Sequence, residues 1–323
     1  MRALAITGPT ASGKTALSLS LADRLSCEII SCDSMQIYRG MDIGTAKATP
    51  AERAAVPHHL IDIVSPHENY SVESYRADAL RAASEITARG RLPLFVGGTG
   101  LYIDSLMRGG VSEVPGSDPE YREKTLASIK GEEDITALWE RLAAVDPESA
   151  EKTHKNNIKR VIRALEIYDK TGKPKSLFDK ETRLVSPDID IGMITVDFHQ
   201  RENLYARVDR RVDMMMEEGL LSEVEGLYSV GLLDGDSTAS QAIGYKELIA
   251  HLRGECTLAE ATEAIKLASR RYAKRQLTWF RHERGAVRLF ADSESGVMKP
   301  AFELTAEAEC AAINIISQFK KGM

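Results

Sequence analysis

The chain has 323 residues, 43% of them hydrophobic and 28% charged, enough for one large or two modest domains around a buried core. A net charge of −6 argues against a uniformly basic nucleic-acid coat protein but leaves local basic faces open. No apolar run approaches membrane-spanning length, and Cys27, Cys32, Cys256 and Cys310 form no C-x-x-C pair, so neither a zinc site nor a disulfide framework is indicated.

The first predicted strand, Ala3-Leu4-Ala5-Ile6, runs into Gly8-Pro9-Thr10-Ala11-Ser12-Gly13-Lys14-Thr15, and a helix opens from Ala16. A strand feeding G-x-x-x-x-G-K-[ST] into a helix is the context of a phosphate-binding loop. Its backbone N–H groups and the helix N-terminus face an anion, Lys14 adds a full charge, and the Thr15 hydroxyl is the expected magnesium ligand. A strand and loop this close to the N-terminus leave no room for a signal peptide, so a cytoplasmic location is expected.

Glu28–Ser31 reads as a second strand with Asp33 at its carboxyl end, where ligands of open parallel sheets sit. Asp33 is equally suited to cap the following turn. A Gly-punctuated loop, Gly40–Lys47, precedes a third predicted strand over His58–Val64. The adjacent histidines point to opposite faces of that strand and suit structural roles. A helix is expected from Ser71, its N-cap, to Arg89, with Gly90 following. The buried strand Leu92–Val96 ends in Gly97-Gly98-Thr99-Gly100, read either as a close approach of backbone to ligand or as a tight strand-to-helix turn.

Composition changes after Gly109-Gly110. From Asp118 to Thr171 the pattern is helical, with breaks near Gly131 and at Asp146-Pro147, which reads as a helical subdomain inserted into a parallel α/β domain. Its last helix is expected to carry Lys155, Lys159 and Arg163 at i, i+4 and i+8, with Arg160 beside them. Strand Asp190–Phe198 then returns to the sheet. The helix Arg201–Glu218 buries Leu204, Val208 and Val212 and sets Arg207 and Arg211 on another face.

The long helix from Leu258 to about Arg284 mixes Lys266, Arg270 and Lys274 with Tyr272, Trp279 and Phe280. That mixture suits contact with phosphates and unstacked bases, the alternative being a solvated face. Val287–Phe290 adds a strand and the segment from Thr305 a helix. A small-molecule P-loop kinase accounts for the phosphate loop, Asp33 and the arginines, but not for two remote basic helices.

Six segments, in order, resemble the bacterial tRNA dimethylallyltransferases: Gly8–Thr15, Asp33-Ser34-Met35-Gln36-Ile37-Tyr38, Gly44-Thr45-Ala46-Lys47, Gly97–Tyr102, Gln241-Ala242-Ile243-Gly244-Tyr245-Lys246-Glu247 and Tyr272–Arg281. The resemblance runs from residue 3 to about residue 285. It implies a P-loop NTPase-like parallel sheet with helices on both faces, formed by 1–112 and 187–323, and a helical tRNA-binding insertion over 113–186. It also implies transfer of a dimethylallyl group from its diphosphate to N6 of the adenosine 3′ of the anticodon, releasing diphosphate, with Mg2+.

On the same resemblance Asp33 is the proposed base, Thr10 and Arg207 contact the diphosphate with Lys14, and Thr99 and Arg122 touch tRNA. Contacts with the tRNA anticodon stem-loop are further expected from Asp33, Ser34, Met35 and Gln36, from Lys159, Arg160, Val161, Ile162 and Arg163, and from Arg270 and Lys274. The expected molecule is a monomer with no obligate protein partner and no membrane attachment. Adenylate isopentenyltransferases share the first two motifs but lack the long basic helices, and no zinc finger of the eukaryotic relatives is present.

Overall fold

The computed structural model of the chain describes residues 1–108, 116, 118–184, 187–233, 237–283 and 285–321. Two compact units emerge, one of Met1–Met107 with Ile189–Met323 and one of Arg108–Asp188. The expected boundaries at 112/113 and 186, the Gly109-Gly110 composition change and the helix end at Arg284 lie outside the described residues. Among those residues no helix is long and apolar enough to cross a membrane.

The larger unit is built on a six-stranded, all-parallel sheet. Its strands are β1 (Arg2–Thr7), β2 (Cys27–Ser31), β3 (His58–His59), β4 (Leu92–Gly97), β5 (Asp190–Asp197) and β6 (Val287–Phe290), in spatial order β3-β2-β4-β1-β5-β6. Strand alternation sorts the core into two faces. Leu4, Ile6, Ile29, Leu94, Ile194 and Val196 pack on one, and Ala3, Ala5, Ile30, Phe95 and Met193 on the other.

The first face is covered by α1 (Lys14–Leu25) and α14 (Ala301–Lys321). Leu204 and Val208 of α10 (Arg201–Glu217) and Ala273 and Leu277 of α13 (Leu258–His282) join them. The second face is covered by α3 (Val72–Ala88), which Ser71 caps as expected, and by α4 (Gly100–Met107). Burying a Leu or Ile side chain fully contributes about 1.5–3 kcal/mol, so this two-sided core holds the central strands firmly.

A third apolar cluster joins Ile37, Tyr38 and Met41 to α10, α11 (Leu220–Ser229), α12 (Tyr245–Leu252) and α13. The short α2 (Pro50–Ala55) opens with a capping box at Thr49. The third strand is far shorter than expected. After His59 the chain enters left-handed backbone at Leu60 (φ 60°) and Asp62 (φ 57°), ending the ladder. That turn brings Asp62 onto Lys47 at 2.5 Å and Arg53 at 2.7 Å, pairing a cation whose side chain is almost fully buried. Both histidines are anchored, His59 by Glu28 at 2.7 Å and His58 Nδ1 by the Val56 carbonyl at 2.7 Å, and His58 also lines the cavity at the phosphate loop.

The elements of the smaller unit are all helices among its described residues: α5 (Pro119–Ser128), α6 (Glu132–Val145), α7 (Pro147–Lys152), α8 (Ile158–Thr171) and α9 (Lys175–Leu184). Leu142, Ala150, Val161, Ala164 and Leu165 form its core. Lys155 precedes α8 instead of lying on it, and pairs with Glu132 at 3.0 Å.

Candidate active site

The loop between β1 and α1 wraps a cavity of about 540 Å³ lined by Thr10 to Thr15. Gly8 and Pro9 are not in its wall and shape it from beneath. A Cβ on Gly8, whose φ is 138°, would stand 2.6 Å from the Val196 carbonyl oxygen of β5. Pro9 offers its carbonyl to Lys14 Nζ at 2.5 Å. No side chain caps α1 at Gly13, and no acidic residue occupies its first turn, so its N-terminal N–H groups remain available to an anion.

Cations converge there from α10, where Arg207, Arg210 and Arg211 recur at helical spacing along the edge of the apolar stripe of Leu204, Val208 and Val212. Arg207 Nε donates to the Ala11 carbonyl at 2.7 Å, holding a residue with φ of 61°. With Lys14, four cations face two carboxylates, Asp33 and Glu52, in the cavity wall. Burial, and then Arg211, lower the Lys14 pKa to about 7 against the opposing pull of Asp33. Arg211 is lowered as well, by burial first, with Arg207 adding to it and Asp33 and Glu218 opposing. Crowded, partly desolvated cations of this kind favour a multiply charged anion.

Thr10, Ala11, Asp33, Thr45 and Arg211 also belong to a second cavity of about 340 Å³. Its wall includes Ser34, Met35, Gln241 to Gly244, Tyr272 and Arg275. Asp33 therefore stands where the two spaces meet. Its Oδ1 accepts the Met35 N–H at 2.9 Å, so the turn-forming role is real. Among the described residues nothing bonds its Oδ2.

Gln276 ties the site together. It accepts the Thr10 N–H at 2.8 Å and donates to the Gly98 carbonyl at 2.9 Å, bridging the phosphate loop to the end of β4. A Cβ on Gly98 would lie 2.1 Å from its Nε2, and one on Gly97 would lie 2.2 Å from the Cys32 carbonyl oxygen, so both glycines are demanded by close approach. This is helix-to-strand and strand-to-strand packing, and Gly97 and Gly98 also contribute to the wall of the larger cavity.

The other motifs meet nearby. Glu223 accepts the N–H groups of Asp42, Ile43 and Gly44 at 2.9, 2.7 and 3.1 Å and the Tyr245 hydroxyl at 2.5 Å. The Tyr245 ring leaves no space for a Cβ on Gly44. Sequence reasoning missed Gln276, Glu223 and Arg210 and left Arg211 out of the site. The signal for Gln276 was a polar residue in the apolar stripe of Ala273, Leu277 and Phe280; Glu223 had none.

The residues expected to touch tRNA are placed unevenly. Ser34 and Met35 line the smaller cavity and Gln36 the larger. Thr99 lines neither and accepts the Ser34 N–H at 3.1 Å. Lys159 and Arg160 are exposed at the N-terminus of α8. Val161 and Ile162, only 1% and 2% exposed, are core residues and are withdrawn from any contact surface. Arg270 is held by Asp209 at 2.6 Å, and its neighbour Lys266 by Asp213 at 2.7 Å, because α13 packs on α10. Arg271, Lys274 and Arg275 are exposed on that helix, and Arg281, exposed as well, is paired with Asp197 at 2.7 Å.

Two family models match the chain: IPP transferase over residues 36–283 and isopentenyl transferase over residues 1–62. The chain belongs to the IPP transferase family. It is 51% identical over 287 residues to the tRNA dimethylallyltransferase of Shouchella clausii, covering 88% of this chain and 89% of that one. It is 48% identical to tRNA dimethylallyltransferase 2 of Geotalea uraniireducens, covering 87% and 89%. The solved tRNA isopentenylpyrophosphate transferase of Bacillus halodurans superposes with a TM-score of 0.72 at 41% identity, over 99% of this chain and 98% of that one. A eukaryotic dimethylallyltransferase solved acting on tRNA superposes with a TM-score of 0.80 at 30% identity, over 98% and 80%.

Proposed function

We infer that this IPP transferase moves a dimethylallyl group from dimethylallyl diphosphate to N6 of the tRNA adenosine next to the anticodon on its 3′ side. The observation that carries the reading is the junction at Asp33, between a cationic phosphate cavity and a second, mixed cavity. The loop amides, Lys14, Arg207 and Arg211 hold the diphosphate and stabilise the charge that grows as the carbon–oxygen bond breaks. The adenine amine forms the new carbon–nitrogen bond and loses a proton, for which Asp33 Oδ2 is the acceptor. Diphosphate leaves with the bonding electron pair, and the adenine keeps the prenyl group.

The donor set also fits Mg2+, which the family resemblance implies. The strands flanking β1 end in Gly97 and in Asp197, and Asp197 is engaged by Arg281 at 2.7 Å. Among the described residues no cluster of three or more His, Cys, Asp or Glu could hold a metal. The Thr15 hydroxyl, in the cavity wall, would hold the ion together with diphosphate oxygens and water, the ligands Mg2+ favours. Bound there, it would supply charge neutralisation for the leaving group.

On the tRNA side, Lys159 and Arg160 sit in the first turn of α8, which has no acidic residue and no side-chain cap. Cations oppose the helix dipole at that end, and the combination suits a phosphate. Monomeric action in the cytoplasm completes the reading. Lys14→Ala, purified and shown by circular dichroism to be folded, is expected to lose prenyl transfer to tRNA by orders of magnitude. Transfer at the parental rate would place the reaction elsewhere.

A further inference from the structure

The helical unit contains one carboxylate that the proposed reaction does not use. Glu166 on α8 is fully buried. Its Oε2 accepts Arg122 Nε at 2.8 Å, its Oε1 accepts the Asp118 N–H at 2.6 Å, and Arg163 Nη1 forms an ion pair with Oε1 at 3.0 Å. Two hydrogen bonds and an ion pair, from α5 with its N-cap and from α8, therefore close on one side chain. Asp118 in turn caps α5 through the Tyr121 N–H at 3.0 Å and pairs with Lys170 at 2.8 Å.

A buried carboxylate costs several kcal/mol of desolvation, and replacing such pairs by apolar residues is often neutral or stabilising. Stability alone is a weak reason for Glu166 amid Val161, Ile162, Leu165 and Ile167. Its geometry offers a better one. Arg122 uses Nε, and among the described residues no acceptor meets its two terminal nitrogens, which keep their fork for a planar oxyanion. Arg163 also reaches the Gly116 carbonyl at 3.4 Å, and it stands one turn along α8 from Lys159 and Arg160.

We propose that Glu166 is a positioning residue for tRNA, its buried carboxylate fixing Arg122 and Arg163 as one preorganised phosphate clamp on the helical unit. The proposal rests on the reading that this unit binds tRNA. Two long, flexible side chains lose conformational freedom on binding phosphate, and a carboxylate that fixes them beforehand removes that cost from the binding step.

The test is Glu166→Gln, which keeps size and one acceptor oxygen but removes the charge. If Glu166 acted only through the field of the unit, losing a negative charge would tighten tRNA binding. Positioning predicts the opposite: KM for tRNA rises roughly tenfold or more, as for a lost hydrogen bond to a charged group. The slope of log affinity against log salt should flatten by about 0.7–0.9 per lost contact, while kcat and KM for dimethylallyl diphosphate hold.

A second measurement separates positioning from folding. In the Arg122→Gln/Arg163→Gln background, the Glu166→Gln effect on tRNA KM should largely vanish. An undiminished effect there, or unchanged or tighter tRNA binding in the single variant, overturns the proposal. Should the two arginine substitutions themselves leave tRNA KM unmoved, the reading of the unit as tRNA-binding fails instead.

Discussion

Asp33 has two carboxylate oxygens and two uses for them. Oδ1 closes the turn to Met35, whereas Oδ2 has no partner among the described residues and belongs to a side chain lining both cavities. Asp33→Asn keeps the turn acceptor and removes the basicity, so turnover should fall by about 10²–10⁴-fold with little change in melting temperature. Asp33→Ala should add a loss of about 0.5–1.5 kcal/mol in stability, the worth of the turn hydrogen bond. Full turnover in the Asn variant would make Asp33 a turn former only.

Lys14 permits a test at the same scale. Its pKa near 7 leaves it mostly neutral at pH 8 in the protein alone, and a bound diphosphate favours the cation. Donor binding at pH 8 should therefore take up protons, and affinity should weaken as pH rises above 7. Calorimetric titration in two buffers of different ionisation enthalpy reads this directly, with Lys14→Met as reference. Equal binding heats in both buffers would contradict it.

At the scale of elements, α10 and α13 divide their cations between packing and binding. Asp209 and Asp213 on α10 hold Arg270 and Lys266 on α13, so the early part of that basic helix is matched across the interface. Arg271, Lys274 and Arg275 lie beyond it and are exposed, with Arg275 stacked over Tyr272 at 5.6 Å beside the smaller cavity. The aromatics divide too: Phe280 is core, and Trp279 packs against Gly100. Neutralising Arg271, Lys274 and Arg275 should flatten the salt dependence of tRNA binding by about 0.7–0.9 log units per contact. Arg270→Gln should leave that slope alone and loosen the α10–α13 contact. A flattened slope for Arg270→Gln, measured by filter binding across a salt series, would reverse the assignment.

For the whole molecule, what the sequence discloses is what is local. The phosphate loop, the capped α3, the buried strands and the helical run from Asp118 announce themselves within a few residues of chain. The early end of β3 depends on Asp62 reaching Lys47, and the site depends on Gln276 bridging Thr10 and Gly98 across 266 and 178 positions. Glu223 reaches loop 42–44 over about the same distance. Such contacts leave no periodic trace, and Val161 and Ile162 show that a basic segment read as a surface contributes its apolar pair to the core.

The central claim is the identity of the acceptor. Labelled dimethylallyl diphosphate, incubated with the protein and Mg2+ alongside bulk tRNA or AMP, decides it, with released diphosphate and any ATP consumption followed in parallel. The account predicts label in tRNA alone, one diphosphate released per prenyl group transferred, and no ATP consumed. Label in AMP instead of tRNA, or ATP hydrolysis without label transfer, would contradict it.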